Sequence, residues 1–269
     1  MKLVRSFNAS RISGVILAYT ALLFGALIAS PAYAEYGLNF KTPVTEIAHI
    51  EYDLHMLILY ICIAIFVVVF GVMFYSIYAH RKSKGSVAAK FSHSTKAEII
   101  WTVIPIIILV TMAIPSTEAL IRMEDTTNSD MTVKITGYQW KWHYDYMDHD
   151  VEMFSSISTP RAQIENKQEK GENYLLEVNN HVVLPINKKI RLLITANDVI
   201  HAWWVPELGA KKDAIPGFIN EIWTKIDKPG RYRGQCAELC GKDHGYMPIV
   251  VDAVTEEEFE AWVQKQKQG

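Results

Sequence analysis

Two long, predominantly apolar stretches occupy the first half of the chain, whereas short alternating stretches fill the second half. The run from Leu54 to Tyr78 contains no Asp, Glu, Lys or Arg, and a second apolar run extends from Ile99 to Ile121. Each run is long enough to cross the hydrocarbon core of a bilayer with some tilt. The pattern therefore predicts two transmembrane helices, at 54–78 and 99–121.

The connection between these runs, residues 79–98, is basic. It carries five cations before its first acid: Arg81, Lys82, Lys84, Lys90 and Lys96. Cytoplasmic loops of membrane proteins are enriched in Lys and Arg. We therefore predict a hairpin at 54–122 with a cytoplasmic loop and both ends facing outward. Beyond residue 122, acids outnumber bases by 23 to 17, which argues against nucleic acid as a partner.

The N-terminus has the order of a secretory signal. Its basic start precedes an apolar run, Val15–Ala29, and an Ala-Tyr-Ala site at 32–34 precedes Glu35. A membrane anchor that stays attached is the alternative. We predict a cleaved signal peptide at 1–34 and a periplasmic segment at 35–53.

From Met131 onward the alternating pattern predicts a β domain, which we assign to 123–269. Four strands are predicted: Thr132–Tyr138, Tyr174–Val178, Lys189–Ala196 and Ile249–Val254. Strands at this spacing are typical of an antiparallel sandwich or barrel. A helix closes the chain, because Thr255 and Glu258 form a capping box before an apolar face.

An aromatic stretch follows the first predicted strand. In an extended chain Trp140, Trp142, Tyr144 and Tyr146 would point to one face. The simpler interpretation is a strand whose aromatic face belongs to the core. The other is that one exposed tryptophan receives electrons, and that nearby carboxylates attract a basic redox partner by electrostatic steering.

The strongest chemical signal is the stretch from Cys236 to Met247. Cys236, Cys240 and His244 are each four residues apart, and Met247 follows three later. Thiolate, imidazole and thioether together suit copper better than hard cations, which take oxygen ligands. A second histidine, His201, directly follows a predicted strand, where a loop at the end of a sandwich would begin.

These residues leave four interpretations open. Cys236 and Cys240 could form a disulfide, since the compartment would be oxidising. Two cysteines and two histidines could hold structural zinc. A blue-copper site takes one cysteine, two histidines and an axial methionine. Two thiolates could instead bridge two copper ions, with one histidine on each.

Several stretches of the chain resemble subunit II of a bacterial haem–copper cytochrome c oxidase that contains a CuA centre. The resemblance rests on the two spans, the 98–101 segment, the aromatic stretch, the 198–201 and 212–217 segments, and the C-x-E-x-C-G-x-x-H-x-x-M pattern. It implies a two-helix transmembrane hairpin followed by an all-β, cupredoxin-like Greek-key sandwich.

The resemblance also implies roles for single residues. It assigns two copper ions of the CuA centre to His201, Cys236, Cys240, His244, Met247 and the backbone carbonyl of Glu238. It assigns the Glu238 side chain to a magnesium ion shared with subunit I. Trp140 would be the first acceptor of the electron, and Glu98 would lie at the entrance of a proton path.

The implied function is that of an electron-transfer subunit of an enzyme. Cytochrome c would donate electrons to CuA, which would pass them to haem in subunit I. There, haem and CuB would reduce oxygen to water, and proton pumping would be coupled to this reaction. Subunit III and the lipid bilayer are the other implied partners. The implied location is the bacterial inner membrane, with the C-terminal domain in the periplasm.

Two residues depart from the family pattern. Lys141 stands where many relatives have an aromatic residue, and Phe218 stands where many have arginine. These departures bear on docking, not on the copper ligands.

The rival function is a membrane-anchored, periplasmic copper-handling protein without an electron partner. A quinol oxidase subunit would lack the cysteines, and a nitrous-oxide reductase domain would lack the hairpin.

Overall fold

Two long helices form the N-terminal part of the computed structural model, which describes Gly37 and residues 39–268. The predicted signal peptide at 1–34 lies outside the described residues. Helix α1 spans Glu46–Ala79 and helix α2 spans Thr95–Glu124. The Thr45 hydroxyl accepts a hydrogen bond from the first turn of α1, and the Ser94 hydroxyl does the same for α2.

Both predicted spans lie within these helices. Their apolar side chains point outward: Phe66, Val68, Ile107 and Leu109 are among the large side chains that are more than half exposed. By length and composition, both helices could cross a membrane. A helix that is apolar all round is stable only when lipid or protein covers it.

A sandwich of two five-stranded sheets follows the hairpin. Its strands are β1 (Met131–Tyr138), β2 (Lys141–Tyr146), β3 (Val151–Ser155), β4 (Val182–Pro185), β5 (Ile190–Ala196), β6 (His201–Val205), β7 (Ala210–Ala214), β8 (Asn220–Thr224), β9 (Gly230–Cys236) and β10 (Pro248–Val254). One sheet has the order β3-β2-β1-β5-β8 and the other β4-β10-β9-β6-β7. Two helices complete the domain, α3 (Arg161–Ile164) and α4 (Glu256–Gln268).

Three of the four predicted strands are confirmed, and the strand at Tyr174–Val178 is wrong. That segment turns instead, with Leu175 at φ 62° and only one bridge, from Val178 to Ile157. The neighbouring strand is Val182–Pro185. The predicted antiparallel sandwich is confirmed for six of the eight strand pairs described, whereas β1–β5 and β4–β10 pair in parallel. Long connections, which parallel pairs require, separate both pairs in sequence.

The core lies between the sheets and is built from alternate residues. Trp142, Tyr144 and Tyr146 are fully buried and point to one face of β2. Each such side chain contributes roughly 1.5–3 kcal/mol through burial. The Tyr146 hydroxyl also bonds both backbone groups of Val183 across the sandwich. The core interpretation of the aromatic stretch is therefore confirmed for these three residues.

Hydrogen bonds connect the end of α2 and the start of α1 to the sandwich. The Trp223 indole donates to the carbonyl of Arg122 at 2.9 Å, and Lys212 pairs with Glu124 at 3.0 Å. At the start of α1, the Thr45 hydroxyl donates to the Leu208 carbonyl. The sandwich is therefore tied to the ends of both helices.

Candidate metal centre

Two neighbouring strands bring the predicted ligands together. His201 begins β6, and Cys236 ends β9, which pairs with β6 through Trp203 and Cys236. The backbone N–H of Cys236 donates to the Met247 carbonyl at 3.0 Å, which closes the loop between β9 and β10. This loop contains the other predicted ligands.

The donor atoms converge at one end of the sandwich. The two sulfur atoms, Cys236 Sγ and Cys240 Sγ, are 3.8 Å apart. Cys236 Sγ lies 3.9 Å from His201 Nδ1, and Cys240 Sγ lies 3.4 Å from His244 Nδ1. The Glu238 carbonyl oxygen is 3.3 Å from Cys236 Sγ. Each sulfur therefore has its own imidazole.

Burial separates this cluster from water. His201 is fully buried, and Cys236, Cys240 and Met247 are 4% exposed or less. Burial alone raises the pKa of both thiols. Hydrogen bonds to Cys236, first of all from His201, outweigh its burial and bring its pKa to about 7. Burial and then the charge of Cys236 raise the pKa of Cys240 to about 12. The two sulfurs would therefore both be thiolates only with a cation beside them.

The His201 ring is held from three sides. Its Nε2 lies 2.9 Å from Asp198 Oδ1, which leaves Nδ1 facing Cys236. A carboxylate partner of this kind fixes the orientation of a metal-binding histidine. Gly137 on β1 packs against the ring so closely that an added Cβ would lie 2.8 Å from the His201 Cδ2 atom. The strand needs glycine here for that close approach.

These donors fit a thiophilic metal. A sulfur–sulfur distance of 3.8 Å is too long for a disulfide, whose sulfurs lie about 2.05 Å apart. Among the described residues, the ligand atoms of His201, Cys236 and Cys240 lie within 4.8 Å of one another. Two thiols and two imidazoles are ligands that suit copper, and Met247 is buried at the end of the same loop.

Trp140 lies beside this cluster but outside the strand. It directly precedes β2 and is only partly buried. The prediction that it shares a strand face with Trp142 is therefore wrong. The turn before β2 points its indole at the loop, where Nε1 donates to the Cys240 carbonyl at 3.1 Å. The tryptophan therefore bridges the surface and the buried sulfur pair.

Two further predicted residues lie apart from the sulfur pair. The Glu238 side chain is exposed on the loop. Glu98 is exposed in the first turn of α2. That turn lies on the order of 40 Å from the sandwich end of the helix, at a rise of about 1.5 Å per residue.

The two departures from the family pattern lie on the surface. Lys141 places its ammonium 4.1 Å from the centre of the Phe154 ring, in cation–π contact. Phe218 is 57% exposed. Neither contacts the sulfur pair.

Sequence reasoning missed Gln139. Its side-chain amide donates to the Cys240 carbonyl at 2.8 Å, and its backbone N–H donates to Asp198 Oδ2 at 2.7 Å. Nothing in the sequence singled it out, because a glutamine between two aromatic residues carries no chemical signature of its own. Asp198 could have been found from its position three residues before a candidate ligand.

The fold and the site define a β sandwich that follows two helices able to cross a membrane and that carries a buried cluster of thiols and imidazoles suited to a soft metal. Comparisons with known proteins agree with this class. Residues 33–119 match the family model of the cytochrome c oxidase subunit II transmembrane domain, and residues 131–254 match that of its periplasmic domain.

Relatives match nearly the full length. A probable cytochrome c oxidase subunit 2 of Rickettsia bellii is 42% identical over 93% of this chain and 91% of its own. The cytochrome c oxidase subunit 2 of Cereibacter sphaeroides is 35% identical over 87% of this chain and 81% of its own. The solved periplasmic domain of subunit II from Bradyrhizobium japonicum is 43% identical, covers 53% of this chain and 97% of its own, and superposes with a TM-score of 0.48.

The chain belongs to the cytochrome c oxidase subunit II family. It is thus a subunit of cytochrome c oxidase type with a transmembrane domain and a periplasmic β domain.

Proposed function

We propose that this subunit accepts electrons from cytochrome c at a dinuclear copper centre and passes them to haem in subunit I. The observation that carries this proposal is the pair of buried sulfurs, 3.8 Å apart, each with its own imidazole. Two copper ions bound there would supply a carrier for one electron at a time.

The donor set favours two metal ions over one. His201, Cys236, Cys240, His244, Met247 and the Glu238 carbonyl together offer six donors, whereas structural zinc is four-coordinate and does not use a thioether. A blue-copper site would leave one buried thiol unused. Two copper ions would instead use both thiols, and the thiolate charges would offset those of the metal.

The chain's other residues prepare the site for electron arrival. Trp140 reaches from the surface to the Cys240 carbonyl. Asp148 and Asp150 are exposed in the β2–β3 turn and Glu152 is exposed on β3, at the end of β2 away from Trp140. These acids would attract a basic cytochrome c and speed its association, with strong dependence on salt.

The remaining parts of the proposal concern the assembled enzyme. The exposed Glu238 carboxylate would bind magnesium at the boundary with subunit I, and Glu98 would open a proton path into that subunit. Oxygen is reduced to water in subunit I, with coupled proton pumping. Subunit III and the lipid of a bacterial inner membrane would surround the hairpin, with the β domain in the periplasm.

Copper loading tests the centre itself. The full chain, purified in detergent without other subunits, should bind two copper ions and give an electron-spin-resonance signal from one electron shared by two nuclei. Zinc should compete poorly. A single copper with a blue-copper spectrum, or preferential zinc binding, would contradict the dinuclear proposal.

Electron arrival is tested separately. In the assembled oxidase, Trp140→Phe should slow reduction by cytochrome c while the copper spectrum stays intact. Trp204→Phe, a partly buried tryptophan on β6, serves as the matched control. A copper-handling protein would bind the metal yet accept no electron from cytochrome c. Equal reduction rates in the two variants would show that Trp140 does not receive the electron.

A further inference from the structure

We propose that Gln139 is a positioning residue that fixes Trp140 against the copper-binding loop and ties both to the His201 segment. This inference rests on the proposed function, because it concerns how an electron reaches that loop. Gln139 bonds with both groups that adjoin the metal ligands: the Cys240 peptide and the Asp198 carboxylate.

The side chain of Gln139 acts on the loop. Its Nε2 donates to the Cys240 carbonyl oxygen at 2.8 Å, and the Trp140 indole donates to the same oxygen at 3.1 Å. A carbonyl oxygen has two lone pairs, so both are used. Neighbouring residues of one turn therefore hold the peptide that carries a candidate thiolate ligand.

The backbone of Gln139 acts on the histidine. Its N–H donates to Asp198 Oδ2 at 2.7 Å, while Oδ1 of the same carboxylate lies 2.9 Å from His201 Nε2. The carboxylate is thus held at both oxygens. Because Gln139 contacts the two segments through different groups, a side-chain substitution removes the loop contact and keeps the histidine contact.

The loop leaves space for this arrangement through Gly241. Its φ of +115° suits glycine, and an added Cβ would lie 3.0 Å from Gln139 Nε2 and 3.1 Å from Trp140 Cζ2. The amide and the indole therefore pack directly on the peptide after Cys240. A loop with a larger residue at 241 would hold both groups farther away.

This geometry predicts an effect on electron arrival with copper retained. Gln139 contacts no candidate ligand atom, so copper affinity should survive its replacement. Without the amide donor, only the indole bond remains on the Cys240 carbonyl, and the indole can shift relative to the sulfur. Loss of one hydrogen bond should lower the population of the indole position that accepts the electron, and the rate with it, by up to about tenfold.

The experiment uses the assembled oxidase with Gln139→Met, which keeps the length of the side chain and removes the donor. Gln139→Glu removes the donor and places a carboxylate against the Cys240 carbonyl. Gln264→Met, on the exposed face of α4, is the matched control. Copper content, the copper hyperfine splitting and the reduction rate at saturating reduced cytochrome c are measured for each.

We expect full copper content in both Gln139 variants, altered hyperfine splitting, and a saturating rate up to about tenfold lower for Gln139→Met and lower still for Gln139→Glu. An unchanged saturating rate and spectrum would overturn the proposal. So would an effect confined to the second-order rate at low salt, which indicates docking, or loss of copper from both variants, which indicates folding. If the unmodified oxidase itself fails to take electrons at two coppers, the proposed function fails instead.

Discussion

The hairpin and the sandwich use apolar residues in opposite ways. In the hairpin, large side chains such as Phe66 and Val68 are more than half exposed on every face. In the sandwich, alternate residues such as Ile135 and Tyr144 are fully buried, and their neighbours face outward. In the hairpin, apolar side chains must be covered by lipid or by other subunits. In the sandwich, the rest of the chain covers them.

This difference explains why the candidate metal ligands lie in the sandwich. A site with two thiols 3.8 Å apart needs its ligands held by residues that are themselves fixed in place. The strands β6 and β9 provide this without any partner, since they pair with each other and pack on a core. The helices of the hairpin depend on lipid or other subunits for most of their packing.

The largest expected effect comes from the cysteines, which occur in both regions. Cys236→Ser should abolish binding of the copper pair, because serine cannot supply a bridging thiolate. Cys62→Ser should leave copper content unchanged, since Cys62 is exposed on α1, away from the ligands. Metal analysis of the two purified variants measures the contrast. Equal copper loss in both would mean that the hairpin takes part in binding.

A matched pair of isoleucines tests the packing difference. Ile135→Ala in the core should cost about 2–5 kcal/mol of unfolding free energy, whereas Ile65→Ala, 45% exposed in the hairpin, should change it by less than about 0.5 kcal/mol. Urea denaturation in detergent, followed by tryptophan fluorescence, gives both values. Similar losses would show that the hairpin unfolds together with the sandwich and shares its core.

Gly137→Ala tests how tightly the sandwich holds a ligand. The added methyl would meet the His201 ring at 2.8 Å, so the ring or the strand must move. Overpacking of this kind costs roughly 1–3 kcal/mol, and copper affinity should fall with it. Gly171→Ala, in a surface loop, is the control. Retained copper affinity in Gly137→Ala would mean that His201 can shift without loss of binding.

The smallest effect is expected at Asp252 on β10, toward the end of the sandwich away from the sulfur pair. Burial raises the pKa of Asp252, but hydrogen bonds from Arg231 and His181 outweigh it and hold the pKa below its usual range. Ionised Asp252 therefore stabilises the fold above the ordinary pKa of aspartate, and this contribution is lost as pH falls through the lowered value. Asp252→Asn should flatten the acid side of the stability–pH curve. An unchanged curve would mean that other carboxylates determine it.

Much of the fold was predictable because its signals are local. Uniform apolarity identified the hairpin, and alternation identified β1, β5 and β10. The misassigned strand at 174–178 has the right composition, but Leu175 turns in a left-handed conformation that leucine seldom adopts. The parallel pairings were missed because pairing partners are chosen by packing across the whole domain.

The candidate ligands were also predictable, since soft side chains at short spacing are rare. The residues that hold these ligands in place could not be predicted from the sequence. Gln139 acts only through neighbours that become close once β1, β6 and the loop meet. The close approach of Gly137 to His201 likewise follows from strand packing, which no spacing along the chain reveals.

The pairing of β6 with β9 also imposes an order of events on biosynthesis. His201 leaves the ribosome 35 residues before Cys236. The cysteine loop is therefore synthesised after the His201 segment. A chain that stops before β9 is complete lacks Cys236 and Cys240, and so lacks the candidate site. The side chains proposed to bind copper are complete only once Met247 has been made, so copper would be delivered after that point.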